Sequence, residues 1–192
     1  KKAGYRTGFV GKIGVRLNRG TAEEMFDFSR FNQASGRNQP YYRKAPDGTI
    51  KHLTRINGDQ AVDFVRSSIP KQPFCLSVSF SAPHPEDDNA RQYIYDRELE
   101  HLYRGVTIPP PPVSEPEYFE QLPGFLRVSM GRQRWFRRFD TPEKYQRMVK
   151  AMYRLITGVD IQVGRILDEI RKQGVEDNTL IVFTSDNGLL TG

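Results

Sequence analysis

Three sets of polar residues that could act together in catalysis occur at separate points of the sequence: Lys12, His84, and the pair Asp186 and Asn187. Lys12 offers a cation that can bind an anionic group. His84, which lies between two prolines, offers a side chain that titrates near neutral pH. Asp186 and Asn187 offer the oxygen ligands that Ca²⁺ or Mg²⁺ prefers. A cation, a proton donor and a metal site together suit the hydrolysis of a charged ester.

Each of these residues also has an ordinary structural explanation. Lys12 could be a solvated lysine and His84 an exposed loop residue, while Asp-Asn-Gly at 186–188 is common turn chemistry. A nucleophile is also missing, because no Ser or Thr stands in a recognisable activated turn. The single cysteine, Cys75, lies inside the apolar run FCLSVSF and is predicted to be an inert, buried core residue.

Short apolar strands are the elements that must position these groups. The runs GYRTGFVG before Lys12, FCLSVSF before His84, and residues 179–184 before Asp186 each predict a strand buried on both faces of a parallel sheet. Right-handed crossovers would direct all three strands the same way, so that their carboxyl ends share one edge. The sequence therefore predicts an α/β fold with a predominantly parallel sheet sandwiched by helices.

Two helices are predicted between these strands. Apolar residues at helical spacing from Ala61 onward predict one helix, with Asp59 as its N-cap. The second helix is the clearest element of the chain, with Thr141 as the cap, Pro142 in the first position and Gly174 at the carboxyl end. Between these residues an apolar stripe extends over about six turns.

Two stretches carry no regular pattern. Residues 20–57 are predicted to be an irregular excursion from the sheet, with a hairpin that turns at Pro46, Asp47 and Gly48. Residues 105–142 are rich in proline and are predicted to be a surface loop without a core element.

The positive charge of the chain indicates which classes of binding partner it could have. The formal net charge is +6, and many of the arginines lie among aromatic residues at 127–139. This stretch could be a solvated loop face, a surface for an anionic substrate, or a nucleic-acid contact. No nucleic-acid-binding motif supports the last interpretation, so nucleic acid is not a predicted partner. No run of about 18 apolar residues occurs, so no membrane span is predicted either.

Three blocks of the sequence resemble those of the type I sulfatase family, within the alkaline-phosphatase-like superfamily. They are GYRTGFVGK, FSAPHPE and YRLITGVDIQVGRILDEIRKQGVEDNTLIVFTSDNG, which occur in the family's order and cover about a quarter of the chain. The resemblance implies that residues 1–192 are an incomplete catalytic domain with an alkaline-phosphatase or sulfatase-like fold. It also implies export to the periplasm or the cell exterior.

The resemblance implies a role for each of the polar groups. Asp186 and Asn187 would be two ligands of a divalent cation, most often Ca²⁺, with Mg²⁺ as the other candidate. Lys12 would contact the sulfate group and the catalytic aldehyde hydrate. His84 would contact the sulfate near the bridging oxygen and help protonate the leaving alcohol. The nucleophile of the family is a formylglycine made from Cys or Ser in a Cys/Ser-x-Pro-x-Arg motif.

The sequence departs from the family pattern at two points. The formylglycine motif is absent and would lie before residue 1, so the chain by itself is expected to be inactive. Gly14 occupies a position, two residues after Lys12, where many members of the family have a histidine. The predicted substrate is a sulfate ester, with an anionic carbohydrate as the predicted carrier of the sulfate group.

Two other functions remain open at this stage. A phosphoester or phosphonate hydrolase of the same superfamily would usually need a second metal site. The chain has only His52, His84 and His101 to contribute histidine ligands to one. A sulfatase-like module that binds sulfated glycan without turnover is the other alternative, and Gly14 is the feature that favours it.

Overall fold

The structure is a computed structural model that describes residues 1–32, 40–68 and 72–188. Its strands and helices follow one another in the order β1 (Arg6–Gly11), α1 (Thr21–Met25), β2 (Phe28–Phe31), β3 (Tyr42–Lys44), β4 (Ile50–His52), α2 (Leu53–Ser67), β5 (Phe74–Ser79), α3 (Pro116–Glu120), α4 (Gly124–Arg127), α5 (Met130–Arg138) and α6 (Pro142–Lys172). Short 3₁₀ helices lie at Arg97–Leu99 and Glu176–Asn178.

The central sheet of the described ranges has three parallel strands in the order β2-β1-β5. In the middle strand, Gly8 is aligned with Phe28 of β2 on one side and with Leu76 of β5 on the other. Helix α2 packs against the sheet, and a Cβ atom on Gly8 would lie only 2.6 Å from the Phe64 ring. The absence of a side chain at Gly8 therefore lets the helix approach the sheet closely. The predicted α/β class with a parallel sheet is confirmed.

The prediction that residues 20–57 form an irregular excursion from the sheet was wrong in one respect, because Phe28–Phe31 is a strand of the central sheet. Its flanking residues extend the pairing with β1: Asp27 N–H donates to Thr7 O over 2.9 Å, and Asn32 N–H donates to Gly11 O over 2.7 Å. Four residues are too few to reveal an alternating pattern, so the neighbouring strand decides this assignment. Residues 33–39 of the excursion lie outside the described residues.

The hairpin prediction is confirmed. Strands β3 and β4 pair antiparallel, with Tyr42 aligned with His52. The turn between them contains Gly48 at φ 85°, a conformation that glycine adopts without steric cost. Gly48 N–H donates to Ala45 O over 2.9 Å, which closes the turn.

Helix α2 begins earlier than predicted. It begins at Leu53 with His52 as its N-cap, whereas the sequence placed the cap at Asp59. Gly58 resembles a helix breaker in the sequence, but it lies inside α2 where α6 crosses. A Cβ atom there would clash with the Gln162 side chain of α6, so the glycine serves helix packing rather than helix termination.

Helix α6 confirms the prediction from its caps. The Thr141 hydroxyl accepts a hydrogen bond from Lys144 N–H over 3.3 Å, and Pro142 occupies the first turn. Gly174 follows the carboxyl end at φ 69° and donates to the Arg171 carbonyl over 2.9 Å. The apolar stripe of the helix, which includes fully buried Leu155, forms one wall of the main core.

The prediction of a coreless loop at residues 105–142 was wrong. The stretch contains helices α3, α4 and α5, and buried Ile108 and Phe139 belong to the same core cluster as α6. The prolines hid this in the sequence because proline disfavours helix interiors, yet Pro116 stands at the start of α3 where proline is tolerated.

Two predictions about strand residues were also wrong. Cys75 is exposed rather than buried, because its side of β5 faces away from the helices that cover Phe74 and Leu76. Residues 179–184 form no strand in the described part of the chain. In the described ranges this segment pairs with neither outer strand of the sheet, β2 or β5, so its strand propensity did not decide its conformation. As for membrane insertion, the described ranges contain no helix long and apolar enough to span a bilayer.

Candidate active site at the carboxyl edge of the sheet

Lys12 lies at the carboxyl end of the middle strand, as predicted. Its backbone N–H donates to the carbonyl of Ser79, the last residue of β5, over 2.7 Å. Gly11 makes this close approach possible, since it adopts φ 110° and any Cβ atom there would clash with the Ser79 carbonyl. The lysine is therefore held beside the point where the chain leaves β5 and enters the His84 loop.

Asn32 is a polar residue at the same edge that the sequence analysis missed. It follows β2 directly and is buried, and its side-chain amide exchanges hydrogen bonds of 3.0 and 2.8 Å with Asn57 of α2. The same side chain lies 3.4 Å from the Ser81 hydroxyl, in the loop after β5. A signal existed in the sequence: Asn32 directly follows Phe28–Phe31, and it would have been found had that segment been recognised as a strand.

His84 lies on the loop that leaves β5, and hydrogen bonds fix its orientation. Its backbone N–H donates to Ser81 O over 3.0 Å, and its carbonyl accepts from the Tyr41 hydroxyl over 2.8 Å. The ring atom Nδ1 lies 2.7 Å from the Pro85 carbonyl. Because a carbonyl can only accept, Nδ1 carries the proton of this hydrogen bond. The atom Nε2 is therefore the one left to exchange a proton with a substrate.

Tyr41 connects the His84 loop to the core of the molecule. Its N–H donates to the Glu86 carboxylate over 2.7 Å, and its ring stacks on His52 with a centroid distance of 5.0 Å. Burial raises the pKa of the Tyr41 hydroxyl far above its ordinary value, so the group remains a donor to the His84 carbonyl. Burial lowers the pKa of His52, whose Nε2 lies 2.8 Å from the Ile94 carbonyl.

The arginines of the 127–139 stretch are largely committed to contacts within the protein. Arg134 and Arg138 form ion pairs with Asp87 at 2.9 and 2.5 Å. The Arg132 guanidinium lies over the rings of Phe119 and Trp135, at 3.5 and 3.9 Å from their centroids. These contacts, rather than exposure to a polyanion, account for much of the arginine content of this stretch.

Asp186 and Asn187 are placed differently from Lys12 and His84. Both are exposed, and within the described residues their hydrogen bonds go only to immediate neighbours: Asn187 N–H donates to Asp186 Oδ1 over 2.8 Å, and the Ser185 hydroxyl donates to Asn187 O over 2.6 Å. The structure thus brings Lys12 and His84 to adjacent strand ends. No described contact joins Asp186 or Asn187 to either of them.

The oxygen ligands of this turn are of the type that a hard cation binds, but the turn has too few of them to form a complete site. A carboxylate and an amide oxygen are ligands that Ca²⁺ accepts, yet Ca²⁺ takes six to eight oxygens. Across residues 1–32, 40–68 and 72–188, no group of three or more His, Cys, Asp and Glu side chains is arranged to hold a metal ion. Asp186 and Asn187 can therefore supply only part of a metal site.

An open surface cavity of about 370 Å³ lies next to this edge of the sheet. Its wall is formed by the end of β2, the hairpin and the first turns of α2, and it includes Phe31, Asn32 and Leu53. Arg43 and Lys44 contribute positive charge to its lining. Its position beside Asn32 makes it a candidate for the part of a substrate that extends beyond the reacting group.

Comparison with known proteins identifies the family. A sequence model of the family described as Sulfatase matches residues 1–192, so the chain belongs to the sulfatase family. The chain is 28% identical over 201 residues to the extracellular sulfatase SULF-1 homolog of Drosophila melanogaster, an alignment that covers 99% of this chain and 17% of that protein. It is 30% identical over 144 residues to the choline-sulfatase of Rhizobium meliloti, which covers 74% of this chain and 25% of that enzyme.

A solved structure shares the fold. The structure of BT4656 in complex with its substrate D-glucosamine-2-N,6-O-disulfate superposes with a TM-score of 0.59 at 18% identity, over 92% of this chain and 46% of that chain. This likeness places the chain in the alkaline-phosphatase-like fold of the sulfatases. The chain spans less than half the length of each of these three relatives.

Proposed function

We propose that the protein that carries this chain hydrolyses sulfate esters. The observation that carries the proposal is the placement of Lys12 and His84 at the carboxyl ends of the adjacent parallel strands β1 and β5, in a chain that matches the sulfatase family throughout. Ligands of open α/β folds bind at this edge. A cation and a proton donor are what the cleavage of an anionic ester requires there.

Each of the two residues has a distinct task. The Lys12 ammonium group binds the sulfate oxygens and stabilises the charge that they carry in the transition state. The His84 ring is oriented by its hydrogen bond to the Pro85 carbonyl, which keeps one proton on Nδ1. The imidazolium form of the ring then donates its second proton, on Nε2, to the leaving alcohol oxygen and becomes the neutral Nδ1–H tautomer.

Asp186 and Asn187 would contribute two ligands to a divalent cation, with Ca²⁺ as the first candidate and Mg²⁺ as the second. Such a cation, when bound, stabilises negative charge on the sulfate oxygens. The carboxylate and amide oxygens of the turn fit this role in kind. The remaining ligands and a formylglycine nucleophile would come from parts of the protein outside residues 1–192.

An anionic carbohydrate is the proposed substrate class, and export the proposed location. The cavity lined by Arg43 and Lys44 beside the site, together with the net charge of +6, suits a substrate with more than one negative group. The names of two relatives point in the same direction, since one is called extracellular and the structure of the other contains a sulfated sugar.

The test is sulfate release by the whole protein from a monosaccharide sulfate and from nitrophenyl sulfate. Replacing Lys12 with Met should lower kcat/KM roughly 100- to 1,000-fold, since it removes a stabilising charge from the transition state. Replacing His84 with Asn should lower kcat for the sugar sulfate roughly 100- to 10,000-fold, since it removes the proton donor. Mass spectrometry of the same protein should detect formylglycine.

Two matched controls separate these effects from general damage. Lys2 is exposed at the opposite end of β1 and His101 is exposed outside the site, so Lys2→Met and His101→Asn should retain wild-type rates. Faster cleavage of nitrophenyl phosphate than of nitrophenyl sulfate would replace the proposal with a phosphoesterase. Tight binding of a sulfated sugar without any turnover would replace it with a glycan-binding module, the outcome that Gly14 favours.

A further inference from the structure

A network of buried and charged side chains holds the loop segment that follows His84. We define the loop clamp as Asp87, Gln92, Arg134, Arg137 and Arg138. Asp87 lies three residues after His84, and three arginines of α5 converge on it: Arg134 and Arg138 bind its carboxylate at 2.9 and 2.5 Å, and Arg137 donates to its backbone carbonyl over 2.8 Å.

Gln92 closes the loop from within. It is fully buried, and its side-chain amide donates to the carbonyls of Asn89 and Asp87 over 2.5 and 3.1 Å. Its carbonyl oxygen accepts from Arg138 Nε over 2.8 Å. Gln92 also adopts φ 58°, a left-handed conformation that a residue with a side chain adopts only where its surroundings impose it. The loop backbone is therefore fixed by its contacts rather than by local preference.

Arg138 is the central member of the clamp. Only 3% of this residue is exposed, although it carries a charge that is costly to remove from water without a partner. Its guanidinium group satisfies that requirement by binding Asp87 and Gln92 at the same time. Helix α5 thus directs its most buried arginine at the loop of a proposed active-site residue.

We propose that the loop clamp is a positioning device that fixes the His84 ring for proton transfer to the leaving group, with Asp87 and Arg138 as its positioning residues. This inference rests on the proposed function. The clamp holds the segment at residue 87, while Tyr41 holds the His84 carbonyl and the Glu86 carboxylate from the other side. Held from both sides, the loop keeps Nδ1 on the Pro85 carbonyl and presents Nε2 to the substrate.

The leaving group provides the discriminating test. Asp87→Asn keeps the shape of the side chain but weakens its hold on Arg134 and Arg138. In the whole protein it should lower kcat for a monosaccharide sulfate roughly 10- to 100-fold, because small misplacements of a catalytic group have effects of this size. KM should change little. Nitrophenyl sulfate, whose leaving group needs no proton, should be cleaved at nearly the wild-type rate. His84→Asn should show the same pattern more strongly.

Matched variants make the result specific. Asp88→Asn removes the same charge from the next, exposed residue and should leave both rates unchanged. Arg138→Gln should lower kcat for the sugar sulfate, and Arg138→Lys should lower it less, because lysine keeps the charge. The recovery should be partial, because lysine cannot bind Asp87 and Gln92 together. Arg134→Gln, which removes only a half-exposed member, should give a smaller defect with the same preference for sugar sulfate.

Equal losses on both esters, or no loss on either, would overturn the proposal. Imidazole ¹⁵N NMR of His84 tests the loop clamp independently of the proposed function. The wild-type protein should show the tautomer with a proton on Nδ1, and Asp87→Asn should show a mixture of tautomers. If the wild-type protein cleaves no sulfate ester, the proposed function fails, and an unchanged tautomer in Asp87→Asn would refute the clamp on its own.

Discussion

The loop that carries His84 is bonded to buried Tyr41 and Arg138 from distant parts of the chain, whereas the segment that carries Asp186 bonds, among the described residues, only to its own neighbours. Leu180 and Phe183, just before Asp186, are 91% and 81% exposed. Both regions follow β-prone sequence, yet only one follows a paired strand. The difference teaches that strand propensity fixes a functional loop in place only where a neighbouring strand is present to accept it.

The largest expected effect comes from the weakly held region. Asp186→Ala should lower sulfate release and metal content of the whole protein by more than about 100-fold, because changes even outside the ligand set of a metal cost up to that much. The melting temperature in the presence of chelator should not change, since among the described residues Asp186 is exposed and hydrogen-bonds only to its neighbour Asn187. Metal analysis and calorimetry measure the two quantities, and Asp177→Ala is the exposed, matched control. Full activity in Asp186→Ala would remove this residue from the metal site.

A pair of leucines compares the stability of the two regions directly. Leu155 is 1% exposed in the main core, so Leu155→Ala should lower the free energy of unfolding of the 192-residue chain by about 2–5 kcal/mol. Leu180 is 91% exposed, so Leu180→Ala should change it by less than about 0.5 kcal/mol. Urea denaturation of both variants provides the measurement. A similar loss for the two variants would mean that residues 179–184 are packed in solution.

A third prediction concerns pH and the support of the His84 loop. Burial depresses the pKa of His52, against the opposing influence of its bond to Ile94 and of Asp96 and Glu86. The unfolded chain, with an ordinary histidine pKa of about 6.5, then binds a proton more readily than the folded chain. The contribution of neutral His52 to the free energy of unfolding should therefore be complete above about pH 6.5. It should decline as the pH falls towards the pKa of His52 in the folded chain.

His52→Asn is the variant that isolates this effect. Asparagine retains the ability to cap α2 but does not titrate, so the fall in melting temperature between pH 7 and pH 5 should be smaller than in the wild-type protein. His101→Asn changes an exposed histidine and should preserve the wild-type pH profile. Identical profiles for His52→Asn and wild type would assign the pH dependence to other groups.

The smallest expected effect lies next to Lys12. Gly14 is exposed, and apart from its two chain neighbours no described residue has an atom within 4 Å of the position that its Cβ atom would occupy, so a side chain is accommodated there. Gly14→His should change stability by less than about 0.5 kcal/mol. If it supplies a contact to the nucleophile, kcat should rise roughly fivefold, the equivalent of one net hydrogen bond of about 1 kcal/mol. A decrease in kcat, measured with nitrophenyl sulfate, would show that the glycine serves activity as it stands.

Part of this protein could be predicted because the signals are local. The caps of α6 at Thr141 and Gly174 and the turn at Gly48 depend on residues adjacent in sequence, and all are confirmed. The position of Lys12 at the end of β1 was predictable for the same reason, since an apolar run that ends in glycine indicates both the strand and its end. Local backbone preferences and the apolar pattern fix these features before any tertiary contact forms.

Other features were decided only by tertiary structure. Three features depend on which other elements lie nearby: the pairing of residues 179–184, the exposure of Cys75, and the direction of the Arg138 side chain towards Asp87 rather than solvent. The sequence by itself determined where α6 is capped, where the hairpin turns and where β1 ends. The tertiary structure decided which of those residues are held in place, because hydrogen bonding and burial require a partner that the local sequence does not contain.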